Sequence, residues 1–119
     1  MIIDDLLSVS PKVRYVAVYR PGGLRSRERP GLAGASASAS DRYEELIVNP
    51  TLLKLVQQRG DIDCGGARWV LIRYGNFFQL VCPVEDGHVS VALELDSDPI
   101  LLVPALMQVL ADRGPLELE

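Results

Sequence analysis

Four residues with metal-binding or nucleophilic side chains lie close together in the stretch LVCPVEDGHVS. They are Cys82, Glu85, Asp86 and His88, and His88 is the chain's single histidine. Thiolate, carboxylate and imidazole groups are common zinc ligands, and a cysteine paired with a histidine is an arrangement used by thiol nucleophiles. Whether these groups can meet depends on the strands that carry them.

Three strand patterns surround this stretch. Alternating apolar residues and β-branched side chains predict strands over Ala67–Tyr74, Phe77–Val84 and His88–Leu95. Gly75-Asn76 and Asp86-Gly87 separate them, and both are favoured two-residue hairpin turns. The sequence therefore predicts a three-stranded antiparallel meander.

The turns also predict which residues face each other, because a two-residue loop fixes the register. The second turn pairs Cys82 with Val91, and the first pairs Trp69 with Cys82. The remaining pairs lie on the same apolar face: Val84 with Val89, Leu80 with Leu93, Phe78 with Leu95 and Leu71 with Leu80. Cys82 is thus expected in a core, with Glu85 and His88 flanking the turn on the opposite side. Because an apolar environment disfavours a thiolate, we expect neither catalysis nor a metal site here.

Other candidate chemistries are weaker. Gly22-Gly23 and Gly65-Gly66 are only doublets, without the lysine of a phosphate-binding loop. Ser36, Ser38 and Ser40 alternate with alanine and favour a flexible linker over a nucleophile. Asp61 and Asp63 lack the further spaced ligands of a calcium loop. We expect no enzyme activity, no metal and no cofactor.

The bulk composition fits one soluble domain spanning residues 1–119. The chain has 119 residues, of which 48% are hydrophobic and 24% charged, and its net charge is −4. An acidic balance argues against nucleic acid as a partner. The longest apolar run is too short to span a bilayer, and the N-terminus does not resemble a signal peptide, so we expect a cytoplasmic protein.

The N-terminal half predicts a short helix up to Ser8, followed by a hairpin of two strands, Val13–Arg20 and Leu24–Arg29. The small-residue segment of positions 31–40 is expected to be a flexible loop, and positions 114–119 a disordered tail. A second helix is predicted from Asp41 as a cap, with Glu44 at capping-box spacing, to Gly60 as a stop. Asn49-Pro50 is expected to kink or restart it. A last helix, capped by Ser97 or Asp98, is expected to end near Arg113.

Both faces of the meander carry apolar residues, so both are expected to be covered by helices. The second helix has an apolar band wider than one sheet contact needs. Either the kink rotates its two halves, or part of the band meets another subunit; the pattern leaves both open.

Arg25, Arg27 and Arg29 alternate along the second strand and share a face. They are candidates for binding an acidic partner. Charge on an edge strand also prevents sheet-to-sheet aggregation, and this second interpretation is favoured by the acidic balance of the chain.

The order of elements resembles the roadblock (dynein light chain) family. The segments that carry the resemblance are VRYVAVYRPGGLRSRE as the first hairpin, ARWVLIRYGNFFQLVCPVEDGHVSVALEL as the meander and SDPILLVPALMQVL as the closing helix. The resemblance implies an α+β domain, α-β-β-α-β-β-β-α, with a five-stranded antiparallel sheet in the order 2-1-5-4-3. The second helix would cover one face, and the first and third helices the other.

The resemblance also implies a function. Roadblock proteins typically dimerise through the third strand and the second helix, and many are scaffolds or regulators of Ras-like small GTPases, as bacterial gliding-motility regulators are. The expected interface here comprises Arg68, Val70, Leu71 and Ile72 on the strand and Leu46, Leu52, Leu55 and Val56 on the helix. The candidate partner-binding residues, from their own pattern and not from the resemblance, are Arg25, Arg27 and Arg29.

The alternative function is a small-molecule sensor. Related folds bind ligands between sheet and helix, and such a site would require a pocket between the sheet and the segment Ala33–Ser40.

Overall fold

A computed structural model describes residues 2–31 and 38–113. The elements are, in order, α1 (Ile2–Leu7), β1 (Val13–Arg20), β2 (Gly23–Glu28), α2 (Ser38–Tyr43), a π-helical segment (Glu44–Val48), α3 (Asn49–Asp63), β3 (Val70–Arg73), β4 (Phe78–Val84), β5 (Gly87–Leu93) and α4 (Pro99–Arg113). We refer to α2, the π-helical segment and α3 together as helix two.

The five strands form one antiparallel sheet in the order β2-β1-β5-β4-β3, which confirms the predicted topology. α1 and α4 pack against one face of the sheet, where Leu6 and Leu106 are buried among strand residues. Helix two lies on the other face and reaches β5 through Glu45. Because helices cover both faces, the central strand β5 is buried from His88 to Leu93.

The turn between β4 and β5 differs from the predicted one. Val84 pairs with Gly87, so the loop is Glu85-Asp86, and Cys82 faces Val89 rather than Val91. Asp86 adopts the left-handed conformation with φ of 66°, which aspartate tolerates. Gly87 is required inside the strand, because a Cβ there would lie 1.8 Å from the Tyr19 carbonyl oxygen. A shift of two residues keeps every side chain on its predicted face.

The prediction that Trp69 lies in the core beside Cys82 is wrong. β3 begins at Val70, and Trp69 is 37% exposed. The Tyr74 amide donates to the Phe77 carbonyl, so the Tyr74–Phe77 pair is a hydrogen-bonded pair. In an antiparallel ladder every second pair is hydrogen-bonded, counted here from Tyr74–Phe77 along β3 and β4. The next such pair after Val70–Val81 would need an amide from Pro83, which has none. The β3–β4 ladder therefore ends at the Val70–Val81 pair.

Helix two begins earlier than predicted, since Ser38 is already helical and Asp41 lies inside α2 rather than capping it. Asn49-Pro50 does not restart the helix, because Val48 and Asn49 keep right-handed helical dihedrals. Instead, the preceding turn widens, and the Asn49 amide donates to the Glu44 carbonyl five residues back. A wide turn immediately before proline leaves space for the proline ring. It also suits a residue that has no backbone N–H to donate.

Gly60 does not end helix two, which continues to Asp63. The Gly60 carbonyl accepts hydrogen bonds from the amides of Cys64 and Gly66, both 3.0 Å long. A Cβ on Gly60 would come within 2.9 Å of the Gly66 carbonyl carbon. Glycine at this position therefore permits the loop after α3 to fold back against the helix.

The remaining predictions concern the loops and α4. Asp98 caps α4, accepting a hydrogen bond from the Leu101 amide at 3.3 Å. In the segment predicted to be a flexible loop, positions 32–37 lie outside the described residues, as does the predicted tail at 114–119. Among the helices that the structure describes, none has the length and apolar composition needed to cross a bilayer.

Candidate functional site

A buried polar cluster lies between helix two and the sheet. Glu45 is fully buried, and its Oε1 lies 2.8 Å from His88 Nε2 and 3.0 Å from Asn49 Nδ2. Its Oε2 accepts a 2.6 Å hydrogen bond from Ser90 Oγ. Tyr19 stacks on the His88 ring, with centroids 5.3 Å apart. The cluster thus ties the π-helical segment of helix two to β5.

This cluster was not predicted, and it changes the role of His88. The structure places His88 under helix two, 1% exposed, and not at an open turn. Cys82 lies on the opposite face, in the core of α1 and α4, and burial raises the pKa of its thiol to about 12. Glu85 and Asp86 are exposed in the turn. Cys82, Glu85, Asp86 and His88 therefore do not converge on one point.

The geometry of the cluster also differs from that of a site with an activated serine nucleophile. Ser90 donates to Glu45 and not to His88, so the cluster lacks the serine–histidine contact of a catalytic triad. Ser90 and Glu45 are both fully buried. We assign the cluster a structural role: it satisfies polar groups that helix two would otherwise bury without partners.

A cavity of about 300 Å³ opens next to this cluster, between the sheet and the first turns of helix two. Its walls include three aromatic rings, those of Tyr15, Tyr74 and Phe77. A register shift in β1 between Val13 and Tyr15 brings consecutive residues, Arg14 and Tyr15, to this cavity. Ser40 also lines it, whereas positions 33–37 of the predicted pocket segment lie outside the described residues.

Two polar atoms in the cavity wall are buried and have no hydrogen-bond partner within the described parts of the chain. They are Glu44 Oε2 and Gln79 Nε2. Burial raises the pKa of the Glu44 carboxyl and of the Tyr15 hydroxyl, and the nearby Glu45 carboxylate raises both further. Glu44 Oε1 accepts a 2.8 Å hydrogen bond from Tyr74 Oη. Burial and this bond raise the pKa of Tyr74 to about 12.

A second surface combines the free edge of the sheet with helix two. β3 is an edge strand. Helix two runs beside it: Glu44 contacts Tyr74 after the end of β3, and Gly60 contacts the loop that precedes its start. Four large apolar side chains of helix two are exposed, and we call them the helix-two stripe: Tyr43, Ile47, Leu55 and Ile62. They recur at nearly whole helical turns and so share one side of the helix.

The residues predicted to form the dimer interface lie on or beside this second surface. Leu55 is 62% exposed and belongs to the stripe. Arg68 is exposed before β3. The other predicted residues are half-buried: Val70, Leu71 and Ile72 in β3, and Leu46, Leu52 and Val56 in helix two. The wide apolar band of helix two is therefore divided between the sheet and the outer surface.

The three predicted partner-binding arginines have different environments. Arg29 donates to the carbonyls of Leu7, Ser10 and Val13 at 2.5–2.9 Å, which anchors α1 and the start of β1. Arg27 pairs with Asp4. Arg25 is exposed in β2. Of the three, Arg25 is the one whose charge is best placed to meet another molecule.

Comparison with solved structures identifies the fold. The chain aligns with a Roadblock/LC7 domain from Streptomyces avermitilis with a TM-score of 0.71 and 13% identity, covering 94% of this chain and 91% of that one. It aligns with MglC from Myxococcus xanthus with a TM-score of 0.57 and 15% identity, covering 99% and 100%. No family model matches the sequence, and no curated protein matches it significantly. The sheet order, the placement of the helices and both alignments agree that this chain has the roadblock fold.

Proposed function

We propose that this protein is a non-enzymatic homodimeric scaffold or regulator that binds a protein partner. The observation that carries the proposal is that an open edge strand, β3, and the exposed helix-two stripe occur in one chain. Each feature alone is common on protein surfaces, and a copy of the chain would cover both.

The edge of β3 provides backbone hydrogen bonds for such a contact. The pairing pattern that starts at Tyr74–Phe77 directs the amides of Leu71 and Arg73 away from β4. An apolar edge strand with free donors pairs readily with another strand. A two-fold axis beside β3 would join the two edges and make the contact the same for both subunits.

The helix-two stripe provides the apolar part of the same contact. Ile47, Leu55 and Ile62 are each more than half exposed, and burying large apolar side chains is the main driving force of association. A stable dimer needs about 800 Å² buried per subunit. Two helices packed side by side next to a continuous sheet are compatible with that area.

The identity of the partner rests on the fold. Many roadblock proteins act as scaffolds or regulators of Ras-like small GTPases, and we propose the same class of partner here, by analogy between folds. Arg25 is the candidate contact residue, because its guanidinium is exposed on an edge strand at the other end of the sheet from β3.

Light scattering over a dilution series tests the dimer. Wild type is expected to have twice the chain mass at micromolar concentration, and Leu55→Glu is expected to weaken the dimer at least about tenfold by burying a charge. Leu101→Glu is the matched control, because Leu101 is 74% exposed on α4, on the opposite face of the sheet. A monomeric wild type would refute the homodimer.

Affinity capture from the native cell tests the partner. Wild type is expected to enrich a GTP-binding protein, and Arg25→Glu is expected to lose it. Lys12→Glu is the control for charge reversal, because Lys12 pairs with Asp96 at the other end of β1. Equal capture by wild type and Arg25→Glu would remove Arg25 from the contact.

A further inference from the structure

We propose that the cavity under the first turns of helix two binds a small, flat nitrogen heterocycle that carries an amino group. This inference goes beyond the scaffold function and does not depend on it, because the cavity lies within one chain and on residues separate from the helix-two stripe.

The size and walls of the cavity favour a flat molecule. Its volume of about 300 Å³ is at the lower end of the range for ligand sites. The Tyr74 and Phe77 rings lie 5.2 Å apart and are tilted by 41°, and the Arg14 guanidinium covers the Phe77 ring at 5.4 Å. Aromatic walls of this kind stabilise a planar ring through stacking and edge contacts.

The unpartnered polar atoms specify the groups that the ligand must carry. Gln79 is 2% exposed, and its Nε2 is a buried donor without an acceptor among the described residues. Glu44 Oε2 is a buried oxygen without a donor in the same part of the chain. A ring nitrogen would accept from Gln79, and an exocyclic amine would donate to Glu44. A ligand with both groups would remove the cost of leaving these atoms unsatisfied.

The charges around the cavity exclude an anionic ligand. Four carboxylic residues line the wall, Glu28, Asp41, Glu44 and Glu45. The single basic residue, Arg14, already donates to Glu94 Oε1 at 3.3 Å. A neutral or cationic heterocycle fits this environment, whereas a carboxylate or phosphate would be repelled.

Titration of the 119-residue chain with three probes tests the proposal. Adenine carries both the amine and ring nitrogens, purine lacks the amine, and benzoate is a flat anion of similar size. We expect adenine to shift the side-chain amide resonances of Gln79 saturably in a ¹⁵N–¹H spectrum, with a dissociation constant in roughly the millimolar range. Purine should bind about fivefold more weakly or worse, and benzoate should not bind.

Gln79→Leu provides the matched variant. It replaces a buried unsatisfied donor with an apolar group, so we expect stability to be unchanged or increased, while adenine affinity falls about fivefold or more. Gln58→Leu is the control, because Gln58 is exposed on α3 and away from the cavity. Three outcomes would each overturn the proposal: no saturable shift with adenine, equal binding of purine or benzoate, or an adenine affinity that Gln79→Leu leaves intact.

Discussion

Glu45 Oε1 and His88 Nε2 lie 2.8 Å apart, although the two residues are 43 positions apart in the sequence and neither is more than 1% exposed. Glu45 stands in the π-helical segment, and His88 follows the first residue of β5. The contact therefore joins the irregular part of helix two to the central strand.

Removal of the Glu45 carboxylate should strongly destabilise the fold. Glu45→Ala leaves His88, Ser90 and Asn49 without their shared acceptor, and breaking a buried polar network of this kind costs about 3 kcal/mol or more. Chemical denaturation measures the loss. Glu85→Ala, at the exposed turn, is the control and should change the free energy of unfolding by no more than about 0.5 kcal/mol. A similar small effect for Glu45→Ala would contradict the structural role of the cluster.

The faces of the sheet could be predicted from sequence, but this contact could not. Alternation assigns faces with a period of two, so even the incorrect turn, Asp86-Gly87, left Cys82 on the correct face. Contacts between the sheet and the helices that cover it follow no such period in the sequence. One available signal was that His88 and Ser90 lie on a face expected to be covered, where polar side chains need partners.

The errors at glycines have a common physical origin. Gly60 and Gly87 were predicted as a helix stop and a turn residue, because glycine is usually found there. In the structure glycine is needed at each position because another backbone segment approaches it too closely for a Cβ. That segment is the loop at Gly66 for Gly60, and β1 at Tyr19 for Gly87. Sequence patterns contain no information on such approaches.

Gly87→Ala should therefore destabilise the protein although the backbone conformation itself does not require glycine. The new Cβ would lie 1.8 Å from the Tyr19 carbonyl oxygen, so β1 and β5 must separate locally. We expect a loss of about 1–3 kcal/mol, the usual cost of overpacking, measured by thermal unfolding. Gly75→Ala is the control, because a Cβ at Gly75 meets nothing within 4 Å. Equal melting temperatures for the two variants would refute the close approach.

The two cysteines should differ sharply in reactivity. Cys82 is buried, and the rise of its pKa to about 12 leaves almost no thiolate near neutral pH. Cys64 is exposed in the loop after α3. A charged disulfide reagent at pH 8 should label one thiol rapidly and the second only after denaturant is added. Cys64→Ser should abolish the rapid phase, and its persistence would show that Cys82 is accessible.

Glu44 should make stability depend on pH in a predictable direction. Burial raises its pKa above 4.5, so the folded state favours the neutral carboxyl. This contribution is present at pH values below 4.5 and is lost as the pH rises through the raised pKa. Glu44→Gln stays neutral, so its stability relative to wild type should increase between pH 4 and pH 7 in urea denaturation. Glu85→Gln, at the exposed turn, is the control, and a flat difference for Glu44→Gln would contradict the assigned burial effect.

The last prediction concerns the free edge of β3. The Leu71 amide points away from β4, whereas the Ile72 amide belongs to the β3–β4 ladder. Proline removes the donor at either position, so the two variants separate dimer formation from folding. Leu71→Pro should keep the circular dichroism of the fold and yet dissociate, because each subunit loses an edge donor at the proposed axis. Ile72→Pro should lower the melting temperature, because it breaks a bond inside the subunit. If Leu71→Pro remained folded and dimeric in light scattering, the edge of β3 would not lie at the dimer axis.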